Sequence, residues 1–431
     1  MEIRDVIHGT IEILKHEIAI IDSPYFQRLR NIKQMGFSEN SYPNATHNRY
    51  IHSLGACHLA TRAFNQIFSK KQPSKSKADG SNQMRLELPY HLIPQLSNDA
   101  KKRFLHTLRA AAMLHDIGHG PLSHTTEFAM PDFEKLNLSV LKAERRQANH
   151  EDYTLKIILD SSLSQTLEKA GLSPHHIACI LNPSIPAKDD FFIDQEIDFR
   201  PVLHQIISSE LDVDRMDYLT RDSFFCGVNY GKFDIDWLLQ HLCANIVSKK
   251  CYLAFSHKAI YTFDDFLISR YHMFLMVYFH HKGVVYDEML ERYFNSSDCD
   301  YEIPTDIEKY VYYDDYHLYT HLSKSKNQWA KRIFHKSPYK LLVEFHSGIQ
   351  DVEKKQLDKI LQKLKDNRTE HILKTTSKEF SKYFGKSAFL PIYVHYTDQL
   401  NPPQFIPVEK CTDLFERYSK ARSITRIYVP S

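Results

Sequence analysis

The amino-acid sequence predicts a mainly α-helical protein with an N-terminal β-hairpin and a smaller, mixed α/β C-terminal region. Three observations lead to this fold class. Apolar residues recur at helical spacing through most of the first two-thirds of the chain. Residues 1–20 instead alternate polar and apolar side chains around a turn at His8-Gly9, as a hairpin does. The last third mixes short strand-like stretches with helical ones.

The individual elements follow from spacing and from terminal signals. Ser23 can cap a helix that has Pro24 at its first position, and apolar residues then recur at spacing three as far as Met35. Asn149 caps another helix, with Asp152 completing a capping box. The remaining predicted helices span residues 48–68, 101–115, 203–222, 263–291 and 352–364, with one more opening at Pro121, and the predicted strands span 251–255, 389–395 and 424–429.

These patterns divide the chain into a helical domain, residues 1–295, and a mixed α/β region, residues 296–431. Residues 70–83 (KKQPSKSKADGSNQ) are polar and rich in Lys, Ser, Pro and Gly, so we expect an exposed loop there.

Composition excludes several classes of function. The 431 residues are 42% hydrophobic and 25% charged, which is ordinary for a globular protein, and the formal net charge of +2 gives no strong field toward nucleic acid or membrane. The seven cysteines form no CxxC pair, which argues against a disulfide framework and a cysteine zinc site. We also find no signal peptide and no apolar run near the ~18 residues that span a bilayer. We therefore expect a cytoplasmic protein with reduced thiols and no membrane partner.

The second of three histidine- and aspartate-containing segments, HDIGHGPLSH at residues 115–124, suggests a metal centre. His115 and Asp116 fall at the end of a predicted helix that Gly118 can terminate in a left-handed cap, and the negative end of the helix dipole favours a cation there. Imidazole and carboxylate ligands suit Mg, Mn, Fe, Co, Ni or Zn. Two ligands are too few, and the best further candidates are His52 and Asp214, polar residues within apolar-patterned helices.

Each motif alone has a structural explanation. A His-Asp dipeptide occurs by chance, His52 could be a hydrogen-bonded core residue, and residues 212–222 (DVDRMDYLTRD) could be a solvated, salt-bridged helix face. On that last helix, Asp214, Tyr218 and Arg221 share one face, which would offer a metal ligand, a ring and a cation together. The joint occurrence of the motifs in this order is much more specific than any one of them.

Over about residues 1–290 the sequence resembles the HD-superfamily phosphohydrolases, and within them the deoxynucleoside triphosphate (dNTP) triphosphohydrolases of the sterile-alpha-motif/HD type. The resemblance is carried by DVIHG, IDSPYFQRLRNIKQMG, HNRYIHSLG, LHDIGHGPLSH, NHE and LDVDRMDYLTRDS. It begins at the first residues, so we expect no sterile-alpha-motif domain before it. It implies a helical HD-domain core and hydrolysis of a dNTP to a deoxynucleoside and triphosphate. It also implies a divalent metal ion and a second ion, expected to be Mg, that arrives with the substrate. The implied metal ligands are His52, His115, Asp116 and Asp214.

The resemblance also assigns roles to other residues. The implied catalytic acid/base residues are His124, Glu127 and His150, with Glu127 standing where the vertebrate protein has aspartate. The implied substrate-binding residues are Gln34, Met35, Arg49, Arg215, Tyr218, Asp222, Arg270 and Tyr278. The implied residues of a regulatory, guanine-reading site are Asp22, Gln27 and Arg30, although the segment that holds them is also a plain amphipathic helix.

These observations favour a dNTP triphosphohydrolase that a guanine nucleotide (GTP) or a dNTP activates and that works as a homo-oligomer, dimer or tetramer. An HD-type phosphodiesterase or nuclease, acting on cyclic nucleotides or single-stranded nucleic acid, is the alternative. A nucleotide sensor without turnover is a third hypothesis, which the complete ligand set disfavours.

Overall fold

The computed structural model describes residues 1–68, 95–142, 144–346, 351–378, 390–397, 403–415 and 422–431. Its α-helices, numbered α1 to α16 in chain order, span Ile18–Ile21, Pro24–Arg28, Arg49–Phe68, Asn98–Leu114, His150–Asp160, Ser162–Lys169, Pro174–Leu181, Arg200–Ile207, Val213–Cys226, Ile235–Gln240, Ile260–Met273, His281–Phe294, Ile307–Tyr310, Asp315–Lys324, Gln328–Phe334 and Asp351–Asp366. Its strands, β1 to β11, span Glu2–Asp5, Gly9–Glu12, Ile193–Asp194, Ile197–Asp198, Leu242–Val247, Lys250–Ser256, Lys340–His346, Ile372–Lys378, Tyr393–Tyr396, Gln404–Pro407 and Arg422–Val429. The predicted loop at 70–83 lies outside the described residues.

The predicted fold class is confirmed: the protein is mainly helical, with an N-terminal hairpin and C-terminal sheets. In the hairpin, β1 pairs with β2 antiparallel, and the Asp5 carboxylate accepts hydrogen bonds from the backbone N–H groups of Ile7 and His8, both 2.9 Å long. The Asp5 side chain thereby closes the turn that carries His8.

Helix α3 lies at the centre of the helical part and packs against α4 and α9. Its buried side chains include Leu59 and Phe64, and α4 contributes Phe104 and Leu108 to the same continuous core. The ends of α3, α4 and α9 therefore stay in fixed relation to one another, which matters because the predicted metal ligands lie at those ends.

Two long helices predicted from apolar spacing are each interrupted. Residues 203–222 form parts of α8 and α9, because Asp212 leaves helical geometry and caps α9 through the N–H of Arg215. Residues 263–291 form α11, a π-helical turn at Phe274–Tyr278, and α12. The helix that Ser23 caps also ends early, at Arg28, and continues only as a 3-10 turn to Asn31.

The helix predicted at 101–115 begins at Asn98 and ends at Leu114, and the left-handed cap predicted at Gly118 was wrong. Gly118 does not have a positive φ angle. Its lack of a side chain serves close packing instead, because a Cβ atom there would lie 2.7 Å from the Thr154 hydroxyl and closer still to the His150 carbonyl oxygen. The helix that Pro121 was expected to open is a 3-10 helix beginning at Ser123.

Most of the strands lie in two further sheets. Strand β6 pairs with β5 antiparallel and with β9 parallel, and β10 extends this sheet beyond β9. The second sheet is antiparallel, with β11 between β7 and β8. None of the described helices combines the length and the apolar character that a membrane crossing needs.

Candidate metal centre

Four predicted metal ligands converge at the ends of three helices. His52 lies in the first turn of α3, His115 and Asp116 follow the last residue of α4, and Asp214 lies in the first turn of α9. The His52 Nε2 atom is 3.1 Å from Asp214 Oδ1 and 3.4 Å from Asp116 Oδ2. The His115 Nε2 atom is 3.4 Å from Asp116 Oδ1 and 3.5 Å from Asp214 Oδ1.

Both histidines present the nitrogen that a metal needs. The His52 Nδ1 atom lies 2.7 Å from Asp217 Oδ2, and the His115 Nδ1 atom lies 2.7 Å from the Ala112 carbonyl oxygen. These oxygens can only accept a hydrogen bond, so each Nδ1 carries the proton and each Nε2 is free to bind a cation. Within the described part of the chain, neither buried Nε2 atom makes a hydrogen bond. The arrangement fits a divalent metal ion.

The electrostatics of the cluster also favour a cation. Burial alone would lower the pKa of His52, yet the carboxylates of Asp214, Asp217 and Asp116 outweigh burial and raise that pKa to about 10. Burial likewise acts against protonation of His115, whose pKa Asp116 and Asp214 raise above its ordinary value. The same carboxylates that favour a proton on these rings would favour a metal ion in its place.

Close packing of α3 against α9 brings Asp217 to His52. A Cβ atom at Gly55 in α3 would lie 2.5 Å from an Arg221 nitrogen and 2.7 Å from the Asp217 carboxyl carbon. Gly55 lies one turn after His52, and only glycine at that position leaves room for the buried Asp217 carboxylate.

A second group of histidines borders the ligands. One nitrogen from each of His119, His124 and His150 lies within 4.8 Å of the others, and the His119 and His150 rings stack 3.8 Å apart. Glu127 joins two of them, since its carboxylate contacts Nδ1 of His124 at 3.1 Å and also Nδ1 of His150. Burial would raise the pKa of Glu127, but the two histidines hold it below its ordinary value. Glu127 is therefore an anion, and its charge opposes the burial that lowers the pKa of His124.

Arg49 links the predicted metal ligands to this histidine cluster. Its guanidinium pairs with the Asp116 carboxylate and donates from Nε to the Ser123 hydroxyl at 2.8 Å. Only 3% of Arg49 is exposed. The cation is thus fixed between Asp116 and the segment that carries His124 and Glu127.

The residues predicted to bind the sugar meet around Asp222. Its carboxylate accepts a hydrogen bond from the Tyr278 hydroxyl at 2.7 Å and contacts His47 Nε2 at 2.7 Å. The Tyr278 ring lies 6.4 Å from that of Tyr218, which in turn lies 6.5 Å from the His52 ring.

Gln34 and Met35 reach the same place from another part of the chain. The Gln34 backbone N–H donates to the His47 carbonyl at 3.0 Å, and the Met35 sulfur lies 3.6 Å from the Cys226 thiol, one turn beyond Asp222 on α9. A wall of tyrosine, carboxylate and thioether groups therefore lies beside the predicted metal ligands.

The two remaining predicted phosphate-binding residues are held by carboxylates. Arg215 pairs with Asp212, and Arg270 donates to Glu210 at 2.8 Å. The Arg270 Nε atom is buried and, among the described residues, has no hydrogen-bond partner. The guanidinium groups of Arg215 and Arg270 therefore lie near the site, but the carboxylate paired with each one partly neutralises its charge.

The three predicted regulatory residues lie on the surface. Arg30 donates to the Gln27 side chain at 2.8 Å and lies 3.6 Å from the centre of the Tyr50 ring, while Asp22 is exposed beside them. Tyr50 directly follows Arg49 in the sequence, and the Arg49 side chain pairs with Asp116. The surface at Arg30 is therefore joined to the predicted metal centre through two adjacent residues.

The prediction that Arg221 would present its charge beside Asp214 and Tyr218 was wrong. Arg221 is fully buried and pairs with Asp217 and Asp5 behind His52. Sequence reasoning also missed Asp217, whose signal was its spacing of four from Arg221. Sequence reasoning gave no role to His119 or His47, although His119 lies in the motif HDIGHGPLSH and His47 begins the motif HNRYIHSLG.

Comparison with known proteins agrees with this geometry. Residues 49–222 match the HD domain family, and residues 235–376 match the HD associated region. The chain therefore belongs to the HD-domain hydrolase family.

Three relatives illustrate the range of similarity. An uncharacterised protein of Methanocaldococcus jannaschii is 28% identical over 392 residues, 91% of this chain and 68% of that protein. The Dictyostelium discoideum protein named deoxynucleoside triphosphate triphosphohydrolase SAMHD1 homolog is 28% identical over 71% of this chain, which spans 51% of that protein. The crystal structure of a hypothetical protein from Aquifex aeolicus has a TM-score of 0.70 and 25% identity, covering 100% of this chain and 96% of that one.

Proposed function

We propose that this protein is a metal-dependent dNTP triphosphohydrolase, which converts a dNTP to its deoxynucleoside and triphosphate. The observation that carries the proposal is the continuity of three groups: the metal ligands, the histidine–glutamate cluster and the polar wall at Asp222. This order matches the parts of a nucleotide, with phosphates at the metal and the sugar at the wall. The name of the Dictyostelium relative supports the same substrate class.

The metal site would be formed by His52, His115, Asp116 and Asp214. A divalent cation there would neutralise phosphate charge and lower the pKa of an attacking water. Arg49 keeps Asp116 in place and adds a fixed positive charge beside the phosphate position.

The chain itself can supply the proton that the leaving 5′-oxygen needs. Burial lowers the pKa of His124 and the Glu127 carboxylate opposes that shift; when the ring is doubly protonated, its Nε2 can donate to the oxygen as the bond from the α-phosphorus breaks. His150, held by the same carboxylate at the first residue of α5, can bind a phosphate oxygen together with the helix N-terminus.

The polar wall would select the sugar. Asp222 and Gln34 can hold a 3′-hydroxyl, Tyr278 and Tyr218 can pack on the ribose, and Met35 would crowd a 2′-hydroxyl. Arg215 and Arg270 would bind phosphate or ribose oxygens.

The proposal has two further parts. A guanine nucleotide would bind at Asp22, Gln27 and Arg30, and several copies of the chain would assemble.

The test is a product analysis. Purified protein is incubated with each dNTP and Mg²⁺ or Mn²⁺, with and without GTP, beside Asp116→Ala, and the products are resolved by anion-exchange chromatography. Deoxynucleoside plus triphosphate, absent with Asp116→Ala, is the expected result. Diphosphate, monophosphate or no product would refute it and redirect attention to cyclic nucleotides and single-stranded DNA. Loss of the GTP effect in Arg30→Ala, with basal turnover retained, would support the regulatory site.

A further inference from the structure

We infer that Asp217 is a positioning residue for the metal centre and that the N-terminal hairpin completes its surroundings through His8 and Asp5. The inference rests on the metal-binding part of the proposed function and goes beyond it. It assigns a role to residues that lie behind the ligands and do not touch the metal position.

Asp217 is fully buried, and both of its oxygens are occupied. One oxygen contacts His52 Nδ1 at 2.7 Å and Arg221 Nε at 2.8 Å. The other contacts His8 Nε2 at 2.6 Å and a terminal Arg221 nitrogen at 2.9 Å. Burying a carboxylate is costly unless it is fully paired, and Asp217 meets that condition through three separate parts of the chain.

The hairpin supplies two of the residues around Asp217. Arg221 donates to Asp5 at 2.8 Å, and Asp5 also accepts from the backbone N–H of His8. Asp5 therefore fixes both the cation that pairs with Asp217 and the turn that presents the His8 ring.

This arrangement determines how His52 faces the metal. The contact from Nδ1 to Asp217 fixes the tautomer and the ring orientation, and the anion makes Nε2 a stronger donor to a metal. His115 obtains the same fixation from the Ala112 backbone carbonyl, which no substitution removes. Of the two histidine ligands, His52 is the one whose orientation depends on a side chain.

The experiment measures Mn²⁺ binding to the metal-stripped, full-length protein by calorimetric titration. We expect Asp217→Asn to weaken Mn²⁺ binding about 10- to 100-fold. Glu17→Gln is the matched control, because Glu17 is equally buried and forms two hydrogen bonds with Arg109, 2.6 and 2.7 Å long, but contacts none of the four ligands. We expect this control to lower the thermal midpoint while leaving the Mn²⁺ dissociation constant unchanged.

The possible outcomes separate the two proposals. Tight Mn²⁺ binding by the wild-type protein with unchanged binding by Asp217→Asn would overturn the inference alone. An equal loss in Glu17→Gln would also overturn it, because the effect would then reflect general destabilisation. If Asp217→Asn does not fold, His8→Ala takes its place, with an expected severalfold weakening, and no change there would count against the hairpin. Failure of the wild-type protein to bind Mn²⁺ would refute the metal centre itself.

Discussion

Replacing Gly118 with alanine tests whether the approach of α5 sets the geometry of the histidine–glutamate cluster. The added Cβ atom would lie 2.7 Å from the Thr154 hydroxyl and closer to the His150 carbonyl oxygen, whereas carbon atoms in contact prefer about 3.5 Å or more. The start of α5, with His150, must therefore retreat by about 1 Å. Such overpacking costs about 1–3 kcal/mol of unfolding free energy, and a displacement of this size lowers turnover about 100-fold.

Steady-state kinetics with a dNTP and urea unfolding measure the two effects of Gly118→Ala. None of the four predicted metal ligands is on α5, so Mn²⁺ binding should be little changed. Gly283→Ala in α12 is the control, because a Cβ atom there meets nothing within 4 Å, and we expect it to gain about 0.5–1 kcal/mol. Turnover of Gly118→Ala within a few-fold of wild type, with His150 still paired to Glu127, would refute the reasoning.

Three further outcomes are expected. Mn²⁺ at about 100 times its dissociation constant should add about 2.7 kcal/mol to the unfolding free energy in urea, and Asp214→Ala should abolish the gain. Burial raises the pKa of Asp315 to about 6, above its ordinary value of 3.8. The folded protein therefore keeps a proton that the unfolded chain loses, and stability falls as the pH rises from about 4 to 6; Asp315→Asn should reduce that slope in urea titrations. Tyr278→Phe removes the hydrogen bond to Asp222 and should raise KM for a dNTP about 10-fold with a smaller change in kcat; an unchanged KM would remove Tyr278 from the sugar site.

Local spacing of apolar residues predicted the fold class. The collinear motifs predicted that His52, His115, Asp116 and Asp214 converge. Asp217 was missed because its role depends on α3 approaching α9 at Gly55, a contact between distant helices that helical periodicity does not encode.

His8 could not be assigned from the sequence, because it lies 209 residues from Asp217. The break before α9 was missed because the capping residue, Asp212, was treated as part of one continuous helix. The boundary at residue 295 and the roles of the individual site residues stay predictions.

The π-helical turn at Phe274–Tyr278 has a consequence for insertions and deletions. A π turn holds one residue more than an α turn, and each residue rotates an α-helix by about 100°. Deleting one residue from this turn would rotate Tyr278 by about 100° relative to α11 and so separate its hydroxyl from Asp222. A single-codon deletion here would therefore disturb the polar wall that we propose binds the sugar.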